Sequence, residues 1–466
     1  MAIAPTDLDS IVKKHVLAVE AIDVHTHLLP STHADLMLFG VDELLTYHYL
    51  VAELFMIMPL PSEGDSMVDD ASTAPPSHDE FFAWPKSRQA DLVFEELFVK
   101  RTPLSEACRG VITTLNELGL GELLRTARAA PFNAARLAPL REWFASRDPA
   151  EYLEHVFTHS KLKYAVMTNI PFVAAEAEHW LMEQPPFVSP RLKTALRVDP
   201  VLTGDWITIS NALQRAELGG RRAYGRTLEG CRAYLLDWIQ RIKPIYLMAS
   251  TPSGFTYSTK KRSGKRMADG SDVSREQQKA VAEDQPPTAI ELLELLLSVA
   301  MSEGLPIALK IGAVRGVNPA LRTGGDGVEC ADLSWLRDLL FTYPSVKFLV
   351  TVLCDTNQHE LCVLSRKFSN LHVYGCWWFC NNPSIIEKTT RMRLEMLGTA
   401  FTCQHSDARV LDQLLYKWKH SREAIAPVLA NQYRRLMEAG WQVTEEEVER
   451  DVALLFGGAF EAFMDK

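Results

Sequence analysis

No run of apolar residues in this chain approaches the roughly 18 that a membrane-spanning helix needs, so no membrane partner is expected. The opening stretch MAIAPTDLDSIVKKHV has neither the long apolar core nor the cleavage site of a secretory signal, and a cytoplasmic protein is expected. No glycine-rich loop follows any strand-like segment, so the fingerprint of an open dinucleotide-binding sheet is missing. The eight cysteines are scattered and none forms a C-x-x-C pair. A disulfide framework and a cysteine-based zinc site are both unexpected, and buried reduced thiols are the reading. Positive charge is also short: 49 Lys and Arg against 59 Asp and Glu leave a formal net charge of −10. That speaks against a nucleic-acid partner, which needs a cationic face. An anionic small molecule would need its own local cluster of cations. No internal repeat is visible, and the sequence leaves a homo-oligomer open.

At 466 residues the chain exceeds the roughly 250–300 at which one hydrophobic core stops growing. A first helix is expected over residues 7–20, capped by Thr6 or Asp7, followed by a short apolar strand, Ala21 to Val24. Residues 40–160 read as mainly helical. From about residue 163, short apolar runs alternate with amphipathic stretches: YAVMTNIPF, TALRVDPVL, PIYLMAS, PIALKIGAV, VKFLVTVL, LHVYGCWWF and MLGTAFTCQHSD. With Ala21–Val24 they make eight, and eight buried strands separated by helices close into an α/β (β/α)8 barrel. The domain reading is one decorated barrel over residues 1–466, with 40–160 as a helical insertion after the first strand and helices from about Arg422 onward. Tyr257 to Pro287 is polar, with Lys260, Lys261, Arg262, Lys265 and Arg266 near its start. It reads as a solvated loop, or as a lid that draws in an anion.

Chemistry concentrates at strand ends. In Asp23-Val24-His25-Thr26-His27 the two imidazoles are two residues apart, so on a strand they share a face and can chelate one divalent metal. His405-Ser406-Asp407-Ala408-Arg409 ends the last strand-like run, and a barrel's last strand pairs with its first. Asp407 can therefore complete a site with His25 and His27, or else cap the helix that follows. Two imidazoles and a carboxylate suit zinc, with manganese or iron as alternatives. In Tyr374-Gly375-Cys376-Trp377-Trp378-Phe379, strand alternation would turn one indole inward, where it could pack on a sugar face, and the other outward.

These motifs together resemble the uronate isomerases, barrel members of the amidohydrolase superfamily. The likeness is carried by the H-x-H after strand one, the W-W-F at strand seven and the [ST]-D-[AS]-R at strand eight. It implies one divalent metal ion, zinc or else manganese, on His25, His27 and Asp407, with Asp407 also the proton-transfer base. It implies substrate binding by Arg409, by Arg197 of LRVDP, by the Trp377-Trp378 pair and by Arg315 of Lys310-Ile311-Gly312-Ala313-Val314-Arg315. His48-Tyr49 falls on the family's H-Y and would relay a hydroxyl proton. The implied reaction interconverts an aldose uronate, such as D-glucuronate, and its ketose, such as D-fructuronate. The sequence departs from the pattern in three places. Lys310 stands where the family has a His, and would serve as a catalytic cation. Leu50-Val51-Ala52-Glu53 follows Tyr49 where an Arg is expected. Met248-Ala249-Ser250-Thr251 replaces an Asp-His pair. These departures keep alternatives in view: a metal-dependent amide or ester hydrolase, a decarboxylase, Lys310 as a carboxylated bridge to a second metal, or a barrel that only binds.

Overall fold

The computed structural model describes residues 2–59, 75–133, 135–182, 188–218, 222–257 and 286–466. The five loop cations Lys260 to Arg266 lie outside the described residues. Among the described residues nine strands occur in chain order: β1 Ala21–Asp23, β2 Leu162–Val166, β3 Leu192–Lys193, β4 Leu196–Arg197, β5 Leu247–Pro252, β6 Ile307–Val314, β7 Gly327–Val328, β8 Phe348–Val352 and β9 Leu371–Val373. Two parallel ladders run β1-β2-β3 and β4-β5-β6-β8-β9. A parallel bridge from Asn169 to Leu196 joins them. The run around Phe401 forms no ladder of its own but follows β9, through Thr402 N–H to Val373 O and Gly375 N–H to Thr402 O. Its far end meets the first strand, where Asp407 N–H donates to His25 O and His27 N–H to Ala408 O. The eight expected strand positions thus form one hydrogen-bonded circuit, the (β/α)8 arrangement. The sequence reading missed two details. The third position is split into β3 and β4 at Thr194-Ala195, and β7 is an extra antiparallel pair on the end of β6. A two-residue strand is too short for its alternation to show in a sequence window.

Period two explains what the barrel holds. Ala195, Met248, Ala308 and Leu349 point inward and pack with Ile22, Val24 and Val166 into a closed core layer. Phe460 and Phe463 of the helix Ala459–Asp465 belong to the same cluster. The residues between them along the strands, such as Leu196, Leu247, Leu309 and Val350, face the surrounding helices in the main outer core. Two positions beyond Ala195, Met248 and Ala308 come Arg197, Ser250 and Lys310, which line the next layer up, at the C-terminal ends of the strands. Barrels of this kind carry function at that end.

Helices cover the outside. Ala289–Glu303 starts with a capping box in which Thr288 and Glu291 satisfy each other's backbone N–H, and it ends on Gly304 in the left-handed region. Helices also fill much of the described part of residues 41–159, from Val41–Leu45 to Pro149–His159. The longest helix among the described residues, Gln413–Glu438, runs against Leu8–Ala18 and sends Lys417 and Trp418 inward. Among the described residues no helix is long and apolar enough to cross a membrane. All eight cysteines are unpaired, and six of them are buried.

Candidate active site

His25 and His27 leave β1 at its C-terminal end with their rings 4.9 Å apart and nearly perpendicular. Asp407 reaches them from the end of the eighth position. Its Oδ1 lies 2.9 Å from His25 Nε2 and 3.4 Å from His27 Nε2. One donor atom from each of the three residues falls within 4.8 Å of the others. Burial, helped by the nearby Lys310 charge, pushes the His25 imidazole down to about 4, and burial holds His27 well below its ordinary range. Both rings are therefore neutral, the form that ligates a metal. Burial alone would raise the Asp407 carboxyl. The Lys310 cation and the two imidazoles outweigh it and hold the group well below the carboxylate range. Two neutral imidazoles and one carboxylate, converging at the end of a barrel, fit a divalent ion.

The geometry rests on a turn that is itself strained. Asp407 has φ 53, the left-handed region that costs a residue with a side chain on the order of 1–2 kcal/mol. Four groups hold it. Asp23 Oδ1 accepts from Ser406 N–H at 3.0 Å and from His25 N–H at 3.4 Å, tying the first strand to the eighth position. Asp23 Oδ2 accepts from Trp418 Nε1 at 2.9 Å. Lys417 Nζ donates to Ser406 O at 2.6 Å, and Asn381 Nδ2 donates to the same oxygen at 3.0 Å. None of these holders stood out in the sequence as part of the site. Asp23 was visible as a buried acid at the first position of D-x-H-x-H. Lys417 and Trp418 carried no local signal: Trp418 meets Asp23 395 positions away, and Lys417 reaches back 11 positions to a backbone oxygen, a contact no sequence period marks. The helix-cap alternative for Asp407 is excluded, since the next helix begins at Gln413 with Asp412 as its cap residue.

Around this centre the pocket is lined by His27, His48, Arg197, Ser250, Lys310, Arg315, Trp377, Trp378, Asp407 and Arg409. Tyr49 packs against the Trp377-Trp378 cluster at its edge. The expected metal ligands and the expected catalytic and substrate-binding residues are thus brought together, while the five loop cations lie outside the described residues. One expectation fails: both indoles face the pocket, not one. The strand ends at Val373, and Trp378 takes φ 45 to open a tight turn, Trp378–Cys380, so alternation no longer applies. Lys310 Nζ stands 4.6 Å from the Trp377 ring centre, and Trp378 stacks on Phe379 at 4.7 Å. The arginines differ in their freedom. Arg197 forks onto Asp199, with Nε 2.7 Å from Oδ2 and Nη2 2.8 Å from Oδ1. Ser250 N–H also donates to Asp199, so an acid from the third strand position stands beside the place where Ser250 replaces the expected pair. Arg315 pairs with Asp326 and lies over Trp378. Arg409 lines the pocket, and its guanidinium forms no ion pair among the described residues. His48 Nε2 is buried without a hydrogen-bond partner among them, and burial pushes that ring down to about 3.

No protein-family model matches the chain, and neither does any curated protein. Solved structures do. Over 100% of this chain and 98% of the other, it is similar to a uronate isomerase from Bacillus halodurans C-125, at 39% identity and a TM-score of 0.80. The chain belongs to the uronate isomerase family. A uronate isomerase of Thermotoga maritima shares the fold at 15% identity and TM-score 0.67, with 98% of this chain and 97% of that one covered. A glucuronate isomerase of Caulobacter crescentus does so at 17% identity and TM-score 0.67, covering 99% and 94%. Membership of the uronate isomerase family makes this an enzyme and sets aside the hydrolase, decarboxylase and binding-only alternatives. It also fits the metal-ligand geometry of His25, His27 and Asp407.

Proposed function

We propose that the protein interconverts a hexuronate aldose and its ketose, of the D-glucuronate and D-fructuronate type, with one zinc ion held by His25, His27 and Asp407. The observation that carries the reading is the convergence of His25, His27 and Asp407 in a pocket that also holds the Arg409 guanidinium, which forms no ion pair among the described residues, in a chain of this family. When bound, the metal ion would polarise the substrate's carbonyl and neighbouring hydroxyl. Asp407 is the base that carries a proton from C2 of the aldose to C1 of the ketose, across one face of an enediolate. The proton on the C2 hydroxyl must move to the C1 oxygen, and His48 with Tyr49 is placed to pass it. Lys310 donates to whichever oxygen bears the developing negative charge. Arg409 receives the substrate carboxylate. Arg197, already oriented by Asp199, supplies a second donor, and Trp377 and Trp378 form the wall on which the sugar face rests. Arg315 closes the outer end.

The test is to incubate zinc-loaded protein in D2O with D-glucuronate and, separately, D-galacturonate, and to follow both sugars by proton NMR. Ketose is expected to appear, with loss of the C2 proton signal. Bound zinc with neither change in either sugar would overturn the uronate assignment. A second expectation separates binding from chemistry. Arg409→Met removes a charge-assisted contact of about 1.5–3 kcal/mol, so KM should rise roughly 10- to 100-fold with zinc content unchanged. An unchanged KM would place the carboxylate elsewhere in the pocket.

A further inference from the structure

Six of the eight cysteines are buried, and the two that reach solvent stand next to each other. Cys330 follows β7 and is exposed, and Cys354 follows β8 and is half-buried. Their thiols are in hydrogen-bond contact. The backbone brings them together from two sides. Gly312 of β6 lies between the two chains: a methyl group there would stand 3.2 Å from Glu329 O and 3.8 Å from Cys354 N. Glu329 N–H donates to Gly312 O at 3.2 Å, and Leu353 N–H donates to Ile311 O at 2.8 Å. On the other side the buried Asn357 clasps Ala331. Its Oδ1 accepts from Ala331 N–H at 2.9 Å and its Nδ2 donates to Ala331 O at 2.8 Å. Asn357 N–H itself donates to Cys354 O at 3.1 Å. The residue before Cys330 is thus fixed to β6, and the residue after it to the turn that starts at Cys354.

Neither thiol has a part in the proposed reaction. We propose that Cys330 and Cys354 form a dithiol site that a small-molecule disulfide of the glutathione type closes to a Cys330–Cys354 bond, fastening the segment 315–330 to the end of β8. That segment forms the outer wall of the pocket. Arg315 at its start pairs with Asp326 and lies over Trp378. Gly324 abuts the helix His48–Ile57, since a methyl group on it would stand 3.0 Å from His48 O. Leu353, beside Cys354, packs with Trp377 and Trp378. The exchange has two steps. The Cys330 thiolate attacks one sulfur of the small disulfide, forms a mixed disulfide and expels one small thiolate. The Cys354 thiolate then attacks the Cys330 sulfur, forms the internal bond and expels the second small thiolate. The protein thiols give up two electrons and two protons; the small disulfide takes the electrons, and its two departing thiolates take the protons. Desolvation, with the Cys354 thiol beside it, holds the Cys330 thiol above its ordinary range, so the first attack is the slow step. The second is intramolecular between groups already in contact.

The test incubates the folded, full-length protein with oxidised glutathione and maps the disulfides by mass spectrometry after acid quenching. Wild type is expected to lose two hydrogens and yield one linked peptide pair, Cys330 with Cys354, which dithiothreitol reverses. Cys354→Ser should instead keep one glutathione on Cys330, and Cys330→Ser should remain unmodified. Oxidised wild type should melt about 2–3 °C above the reduced form, a gain that dithiothreitol removes and Cys354→Ser never shows. Amide hydrogen exchange over 315–331 should slow in the oxidised protein. Wild type that retains glutathione on Cys330 without a cross-link, that links other cysteines, or that does not react would overturn the dithiol site. A Cys330–Cys354 bond that changes neither melting nor exchange would overturn the fastening.

Discussion

Asp407→Asn is expected to lower turnover by roughly a thousandfold or more, with ketose formation falling to the edge of detection. Three losses coincide in that one oxygen-to-nitrogen change. The general base of the proposed reaction goes, which alone is worth about 10²–10⁴ in rate. An anionic ligand goes from the set formed with His25 and His27, so zinc content should fall as well. Lys310, buried with its Nζ 3.1 Å from Asp407 Oδ1, is left without its anion. Breaking a buried pair from one side costs on the order of 3–5 kcal/mol, so the variant should also melt earlier. Turnover and zinc content, measured on the same sample, distinguish the causes. If zinc is restored at high concentration and turnover is not, the carboxylate acts in proton transfer. More than a tenth of wild-type turnover in zinc-saturated D407N would remove Asp407 from that role.

Gly375→Ala should be the most damaging change outside the ligand set. Gly375 sits at φ 62, where a side chain is strained, and a methyl group there would meet His405 Nδ1 at 1.7 Å. His405 cannot yield. It is fully buried, with its ring 5.4 Å from that of His25 and 5.2 Å from that of Tyr374. Left-handed strain of about 1–2 kcal/mol adds to overpacking of about 1–3 kcal/mol or more. A total of roughly 2–5 kcal/mol is a large part of the stability of most domains. The expected result is insoluble protein, or a denaturant midpoint well below wild type, together with weaker zinc binding because His405 is driven at His25. A midpoint within error of wild type would show that the ring has room to move.

How much of this was legible in the sequence depended on the distance over which each signal acts. The H-x-H pair could be read because strand alternation is local: two residues, one face. The pairing of His25 and His27 with Asp407 needed only the added rule that a barrel's last strand meets its first. The two indoles were misread for the same local reason. Alternation was carried past Val373, where the strand has ended and the backbone at Trp378 turns into the left-handed region. Lys310 could be placed at the mouth from the period of β6, but not in contact with His25, which is 285 positions earlier in the chain. Apart from Asp23, which stands in the D-x-H-x-H run, the holders of Asp407 were invisible. The bond from Trp418 to Asp23 spans 395 positions and has no periodicity to announce it. Asp199, which orients Arg197, was present in LRVDP but was read there only as part of a motif.

The Trp418–Asp23 bond has a consequence for the order in which the protein can be made. Domains generally fold as units, so a domain whose parts are far apart in the chain waits for its last part to be synthesised. Here His25 and His27 precede by almost four hundred residues the Ser406 N–H and the Trp418 side chain that tie down the acid at their strand end. The floor beneath them is closed later still, by Phe460 and Phe463. On the ribosome the nascent chain therefore carries two exposed imidazoles and no finished seat for an ion. A metal seat on His25, His27 and Asp407 would therefore be finished only after Phe463 has been made, and an ion would enter it after that point.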